Sequence, residues 1–294
     1  MSESPHATLS RSTESRTASH RSWLGTTALK RVESMNYSTL LTTLEDFVLT
    51  VTLNRPAQAN SFNHEMIQDF SRLWDDIREN DSVRVIVLRA AEGRSFCTGV
   101  DVKQGWRALG VDPNPFDYDD PGDWLGPKSN RIWKPFIVAA HGMVAGGAFY
   151  WLNESDIAIC SDDATFFDPH LKLGKLSAVE PIGALGRIPY QEISRMVLMA
   201  DQERISAATA LRISLVTEVT TPKDLWARAD EIAKSVASRE PVAVQGSIRA
   251  LWEAQSLPRQ QAISNAVKYI QISKAASPPK PTPSNLKSPK WSLR

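Results

Sequence analysis

The sequence predicts an α/β fold with parallel strands joined by crossover helices, followed by a helical C-terminal part. Two observations predict the first half: short β-branched runs alternate with segments of helical period, and turns rich in Gly, Pro or Asn separate them. A third predicts the helical end, where Pro241 and Pro258 punctuate an otherwise helical pattern from Pro222 to Ile272.

The elements follow in order. Asp46 to Leu53 alternates and is β-branched, a strand, and Asn54 to Asn60 is a turn. Asn63 to Asn80 carries Met66, Ile67, Phe70, Leu73, Trp74 and Ile77 at helical spacing. Val83 to Arg89, Phe136 to Ala140 and Asp156 to Cys160 read as buried strands. Gly142 to Asn153 reads as a Gly-rich turn that continues into an apolar helix, and Pro222 to Ile272 as three helices. Gly105 to Asn130 holds Pro113, Pro115, Pro121, Pro127 and the acidic run Asp117 to Asp120. A long irregular insertion in a compact domain is usually functional, and this one reads as a lid over a site.

Four segments result: an extension over 1–36, an α/β core over 37–220, helices over 221–275 and a tail over 276–294. The extension is rich in Ser, Thr and Arg and has too few large apolar residues to offset the entropy of ordering. It reads as disordered, as a mitochondrial transit segment, or as the product of a start upstream of Met35. The Pro-rich, basic tail from Ser277 reads as a flexible end.

Composition excludes several classes. A formal net charge of +1 gives no global field to recruit nucleic acid or an anionic membrane. No apolar run approaches the roughly 20 residues of a membrane span. Cys97 and Cys160 are too few for a disulfide framework and lack metal-ligand spacing, which suits a reducing compartment such as the cytoplasm. No metal site and no permanently bound cofactor are expected. Of nine tryptophans, those at 106, 124, 133 and 151 cluster in sequence and hint at a roomy apolar pocket.

Two motifs carry chemistry. In Gly93 to Lys103 a buried strand runs into a turn at Gly99, which lets successive amides point into a cavity. In Ala140 to Trp151 the adjacent Gly146 and Gly147 open an apolar helix, where unpaired amides and the helix dipole favour negative charge. Taken singly, the first could be a plain strand-to-helix turn and the second helix packing.

Together they resemble the crotonase (enoyl-CoA hydratase/isomerase) family. The resemblance covers Leu44 to Ile272 in order: Asn54-Arg-Pro56 with Asn60 to Asn63, Val83 to Leu88, Phe96 to Lys103, Lys134 to Gly147, Ala164 to Gly174, and Ile205 to Val216. It implies a spiral of repeated ββα units with a C-terminal helical region that forms homotrimers or dimers of trimers. The implied ligand is an acyl-CoA, with coenzyme A present only as part of the substrate thioester. Its carbonyl oxygen would accept from the amides of Val100 and Gly147. Asp101, Val102, Lys103, Trp106 and Gly146 would contact the substrate.

The sequence departs from the family where hydratases of this type carry two glutamates. Those positions hold Tyr150 and His170. His170, with an ordinary pKa of about 6.5, is a natural general base. Tyr150 is a donor, Asp168 a candidate to orient His170, and Glu180 a third acid–base candidate in a loop where relatives place an alternative acid. His20, His64 and His141 read as structural or surface residues. The resemblance leaves three expectations: a lyase or isomerase on an unusual, bulky or cyclic acyl-CoA; a C–C or thioester hydrolase using His170; and a non-catalytic acyl-CoA binder.

Overall fold

The computed structural model describes residues 36–108, 116, 119–276 and 293. The expected N-terminal extension, with His20, lies outside the described residues except for Asn36, as does the tail except for Ala276 and Leu293.

The chain opens with a hairpin of β1 (Leu40–Glu45) and β2 (Val48–Leu53), in which Glu45 pairs with Val48. The two loop residues, Asp46 and Phe47, both have positive φ, the twist that a two-residue hairpin loop requires. Helix α1 (His64–Arg78) starts where the Asn63 side chain accepts from the Met66 amide, and it buries Met66, Ile67, Phe70, Leu73, Trp74 and Ile77 on one face.

The strands then come in pairs. β3 (Val85–Ala90) is followed by β4 (Ser95–Cys97), β5 (Phe136–Ala140) by β6 (Met143–Ala145), and β7 (Ile157–Ser161) by β8 (Thr165–Phe167). The first of each pair joins a six-stranded sheet ordered β1-β2-β3-β5-β7-β10, and the second joins a four-stranded sheet ordered β4-β6-β8-β9. β9 (Ile205–Ser206) closes the small sheet antiparallel to β8, and β10 (Glu218–Thr220) closes the large one parallel to β7. The result is a crotonase-type spiral of repeated units, each giving one strand to each sheet. The small sheet corrects the expectation that the turn at Gly142 leads straight into a helix: Met143–Ala145 is a strand, and α3 (Phe149–Glu154) begins only after a 3-10 turn at Gly146–Ala148.

Short helices α2 (Gly122–Leu125), α4 (Val179–Ala184), α5 (Tyr190–Met199) and α6 (Ala207–Arg212) fill the connections. α7 (Leu225–Ala237) lays Leu225, Ala229, Ala233 and Ala237 on the face of the large sheet formed by Val48, Val85, Val87, Ile137, Ala139 and Ile159. The opposite face packs on α1, so Val85 to Leu88 is buried continuously, as a strand covered on both sides must be. α8 (Pro241–Ala254) and α9 (Arg259–Ala276) pack on each other, and the Tyr269 hydroxyl donates to Glu253 at 2.6 Å.

Candidate active site

The site lies at the carboxyl ends of β4, β6 and β8, three adjacent parallel strands. Side chains and amides just past such ends converge on one region, the usual ligand position in parallel sheets.

After β4 the chain turns at Gly99, whose φ is +85°. Val100 then bridges Phe62 in parallel: the Phe62 amide donates to the Gly99 carbonyl at 2.9 Å, and the Asp101 amide donates to the Phe62 carbonyl at 2.8 Å. Successive extended residues point their amides in opposite directions, so the Val100 N–H faces away from Phe62. After β6, Gly146 has φ +52° and opens the 3-10 turn, with Gly147 next, that leads into α3. The two turns touch, because a Cβ on Gly99 would sit 3.0 Å from the Gly147 nitrogen and 3.2 Å from the Ala145 carbonyl. Gly147 has no room for a side chain either, since its Cβ would meet the Phe62 ring at 2.5 Å.

The turn after Val100 is braced. Asp101, buried, forms an ion pair with Arg55 at 2.9 Å and accepts from the amides of Lys103 and Gln104. Burial opposes its ionisation, but the Arg55 hydrogen bond and the two amides outweigh this and lower its pKa. Val102 is 74% exposed and Lys103 is exposed. Trp106 packs beside Trp124 with ring centroids 5.8 Å apart, and its carbonyl lies 3.3 Å from His64 Nδ1.

A polar cluster faces these turns. Past β8, Asp168 Oδ1 lies 2.7 Å from His170 Nδ1 and also accepts from the His170 amide, while Ser177 Oγ donates to Oδ2 at 2.5 Å. Burial disfavours the Asp168 charge, yet these hydrogen bonds hold its pKa low. The Asp168 hydrogen bond in turn raises the pKa of His170 against the opposing effect of burial. His170 also reaches the second turn, since a Cβ on Gly146 would lie 3.7 Å from His170 Cε1. On its other side, His170 Nε2 is 3.6 Å from Glu180 Oε1. Glu180 is 6% exposed and sits in the first turn of α4, where Asn153 of α3 donates to its carbonyl at 2.8 Å. Burial raises its pKa, and the charges of Asp168 and Asp120 add to the rise.

Tyr150, on the first turn of α3, completes the cluster. Its pKa is pushed far up, first by burial and then by the nearby charges of Glu180 and Asp120. The phenol is therefore a neutral donor. The structure thus brings Tyr150, His170 and Glu180 together beside the Gly99 and Gly147 turns. Sequence reasoning missed Asp120 and Ser177. Asp120 was hidden in the acidic run of the insertion read as a lid.

Other candidates lie apart from this chemistry. His141 is buried with a lowered pKa caused by burial. Burial pushes the Cys97 and Cys160 thiols up to about 12, so both are neutral. Cys97 Sγ accepts from the Gly99 amide at 3.3 Å and so belongs to the turn. Among the described residues, no group of three or more His, Cys, Asp or Glu side chains could hold a metal ion, and no helix is long and apolar enough to cross a membrane.

Fold and site together define an enzyme of the crotonase superfamily. The sequence profile of the enoyl-CoA hydratase/isomerase family matches residues 43–277, and the chain belongs to that family. It is 33% identical to an (E)-benzylidenesuccinyl-CoA hydratase of Thauera aromatica, over 75% of this chain and 84% of that one. It is 28% identical to a short-chain-enoyl-CoA hydratase of Clostridium acetobutylicum, over 74% and 82% of the two chains. The crystal structure of an enoyl-CoA hydratase/isomerase from Mycobacterium paratuberculosis superposes with a TM-score of 0.75 at 29% identity, covering 81% of this chain and 91% of that one.

Proposed function

We propose that this enzyme adds water to, or removes it from, a bulky or aryl-substituted 2-enoyl-CoA. The observation that carries the reading is the contact of the Gly99 and Gly147 turns beside the His170–Glu180 pair. The thioester oxygen accepts from the Val100 and Gly147 amides. These two fixed dipoles stabilise the enolate charge that develops there; removing one such donor typically costs about 100- to 1,000-fold in kcat. The cationic Lys103 and the exposed stretch from Val102 onward lie where the coenzyme A moiety leaves the turn, and Trp106 flanks the acyl group. No cofactor is required beyond the coenzyme A of the substrate.

The acid–base step balances on one proton. Asp168 holds His170 Nδ1–H and leaves Nε2 as the acceptor. Nε2 takes a proton from water as its oxygen adds to the β-carbon. The C=C electrons move into the enolate, and Glu180 gives its proton to the α-carbon. The proton on His170 then returns to Glu180 across the 3.6 Å gap, which resets the site. The pair is active with one proton between its members and titrates as a unit. Both ordinary values, 6.5 for His170 and 4.5 for Glu180, are shifted upward. The kcat/KM profile is therefore a bell, with its acid limb above 4.5 and its alkaline limb above 6.5.

The similarity to a hydratase whose name specifies an aryl acyl group supports the substrate class. The test is a panel of crotonyl-, 2-decenoyl- and cinnamoyl-CoA, followed by loss of conjugated thioester absorbance. Turnover is expected to be best with cinnamoyl-CoA and lost in His170→Ala. No turnover with any member, or an unchanged rate in His170→Ala, overturns the reading. The Asp168–His170 pair also favours a second reading, in which His170 activates water for C–C or thioester hydrolysis; release of free coenzyme A thiol would distinguish it. Self-assembly into trimers through α8 and α9 is supported by exposed Leu251, Ile263, Ile270 and Ile272, and light scattering tests it.

A further inference from the structure

Asp168 is buried just past β8, and both of its carboxylate oxygens are engaged. Oδ1 accepts from the His170 amide at 2.9 Å and lies 2.7 Å from His170 Nδ1. Oδ2 accepts from Ser177 Oγ at 2.5 Å. Between His170 and Ser177 the chain makes an excursion. The His170 carbonyl accepts from the Leu173 and Lys175 amides at 2.9 and 3.0 Å, and Gly174 takes φ +63° at the end of this turn. Leu171 to Leu176 is exposed throughout. The chain returns to the site at half-buried Ser177, just before Glu180 is buried in the first turn of α4.

The 3.6 Å between His170 Nε2 and Glu180 Oε1 therefore depends on how α4 is attached on two sides. Asn153 donates to the Glu180 carbonyl and packs against Gly183, where a Cβ would lie 2.4 Å from Asn153 Nδ2. These contacts fix α4 against α3, not against the end of β8, which carries His170. Among the described residues, the Ser177–Asp168 hydrogen bond is the one that joins 168–170 to 177–184. A hydroxyl donating to a carboxylate makes a short, strong bond. Because a carboxylate is a rigid plane, the bond that holds Oδ2 also fixes the plane in which Oδ1 meets Nδ1. Without it, α4 would be tied to β8 only through an exposed loop, which opens locally at little cost.

We propose that Ser177 is a positioning residue of the active site: through Asp168 it locks the Glu180-bearing start of α4 to the His170-bearing end of β8, and so sets the distance across which the pair exchanges a proton. This rests on the reading of His170 and Glu180 as the acid–base pair. Loss of the hydroxyl leaves both groups present but frees their spacing, and a misplacement of about 1 Å can cost on the order of 100-fold in rate. The charged and titratable groups around the pair are Asp168 and Lys175 beside His170, Asp168 and Asp120 beside Glu180, and Tyr150 from α3.

The test is an NMR titration of the His170 ring in the full chain without substrate, using isotope-labelled histidine and assigning the signal by its loss in His170→Gln. Glu180→Gln removes a carboxylate 3.6 Å from Nε2 and is expected to lower the His170 midpoint by about one pH unit. In a Ser177→Ala background the same substitution is expected to lower it by less than half as much, because the carboxylate is no longer held at that distance. Any direct effect of Ser177 on Asp168 is common to both members of each pair and cancels in the difference. Ser177→Thr keeps the hydroxyl and should keep the full shift. A thermal melt checks that each variant is folded. Equal shifts in the parent and Ser177→Ala backgrounds, or no shift in either, overturn the proposal. Turnover of cinnamoyl-CoA separates it from the reading on which it rests. Folded Ser177→Ala is expected to lose roughly 10- to 100-fold in kcat with KM little changed, and Ser177→Thr to recover most of it; parental kcat in Ser177→Ala also overturns the proposal. Glu180→Gln at full turnover refutes Glu180 as proton donor. Inactive Glu180→Gln with equal titration shifts refutes the role of Ser177 alone.

Discussion

Replacing Gly99 with alanine tests the proposed carbonyl-binding amides without touching a polar side chain. Two costs arise. Gly99 has φ +85°, and an L-residue there pays about 1–2 kcal/mol for left-handed backbone. The new Cβ also falls 3.0 Å from the Gly147 nitrogen and 3.2 Å from the Ala145 carbonyl. Both neighbours are main chain and cannot swing aside, so the Gly147 amide must retreat by a few tenths of an ångström. A donor to an oxyanion works between about 2.7 and 3.1 Å, so a retreat of that size takes it to the edge of its range. Full removal of a donor costs about 100- to 1,000-fold in kcat, and partial displacement should cost about 10- to 100-fold. Gly186 supplies the control: its φ is +87° and nothing lies within 4 Å of its Cβ position. Gly186→Ala should lower the melting temperature by a few degrees, as expected for 1–2 kcal/mol in a domain of this size, and leave kcat intact. Gly99→Ala should melt somewhat lower and lose kcat, with KM little changed, when hydration is followed by thioester absorbance. Parental kcat in folded Gly99→Ala would remove the Gly147 amide from the mechanism.

Asp168→Asn removes the charge that raises the His170 pKa. A raised imidazole pKa contributes stability that is full below about 6.5 and is lost as pH rises through the folded value. The depressed Asp168 pKa contributes above its ordinary value and is lost as pH falls through the folded one. The stability difference between parent and Asp168→Asn in urea melts should therefore be largest near pH 5–6 and shrink toward pH 8; a flat difference would argue against the pair. Lys134 is buried and donates from Nζ to the carbonyls of Asn80 and Val83, each at 2.7 Å, with burial lowering its pKa to about 8. Lys134→Met leaves both acceptors unmet and should cost about 2–4 kcal/mol in urea melts, while folded protein keeps its kcat; loss of kcat without loss of stability would give Lys134 a catalytic part.

Residues that obey a period long enough to count were legible in the sequence. The helix from Asn63, the large-sheet strands around Val85 to Leu88 and Phe136 to Ala140, and the helices split by Pro241 and Pro258 all emerged at their expected places. The small sheet did not, because β4, β6 and β8 are three residues each, too short for alternation to register. The tryptophans misled for a related reason: closeness in sequence is not closeness in space. Trp151 is core, packed among Phe62, Phe70 and Phe96, and Trp133 lies under Arg249, which leaves only Trp106 and Trp124 as neighbours. His170 and Glu180 were legible by type, but their 3.6 Å approach depends on α4 folding back onto α3 through Asn153, a tertiary contact with no local sign.

The arrangement separates two tasks along the chain. The amides of Val100 and Gly147 are aimed by backbone: one by its bridge to Phe62, the other by a turn with no space for a side chain. Their positions do not depend on which residue follows at 150, 170 or 180. The proposed acid–base groups project from separate elements onto the same strand ends, each held by its own neighbours: Asp168 and Ser177 beside His170, Asn153 at the Glu180 carbonyl, and Gly122 against the Tyr150 ring. Substitution at one of these positions is expected to alter proton inventory and acyl fit while leaving the proposed carbonyl anchor in place. A site built this way can exchange two carboxylates for a phenol, an imidazole and one relocated carboxylate, provided the replacements again carry one movable proton.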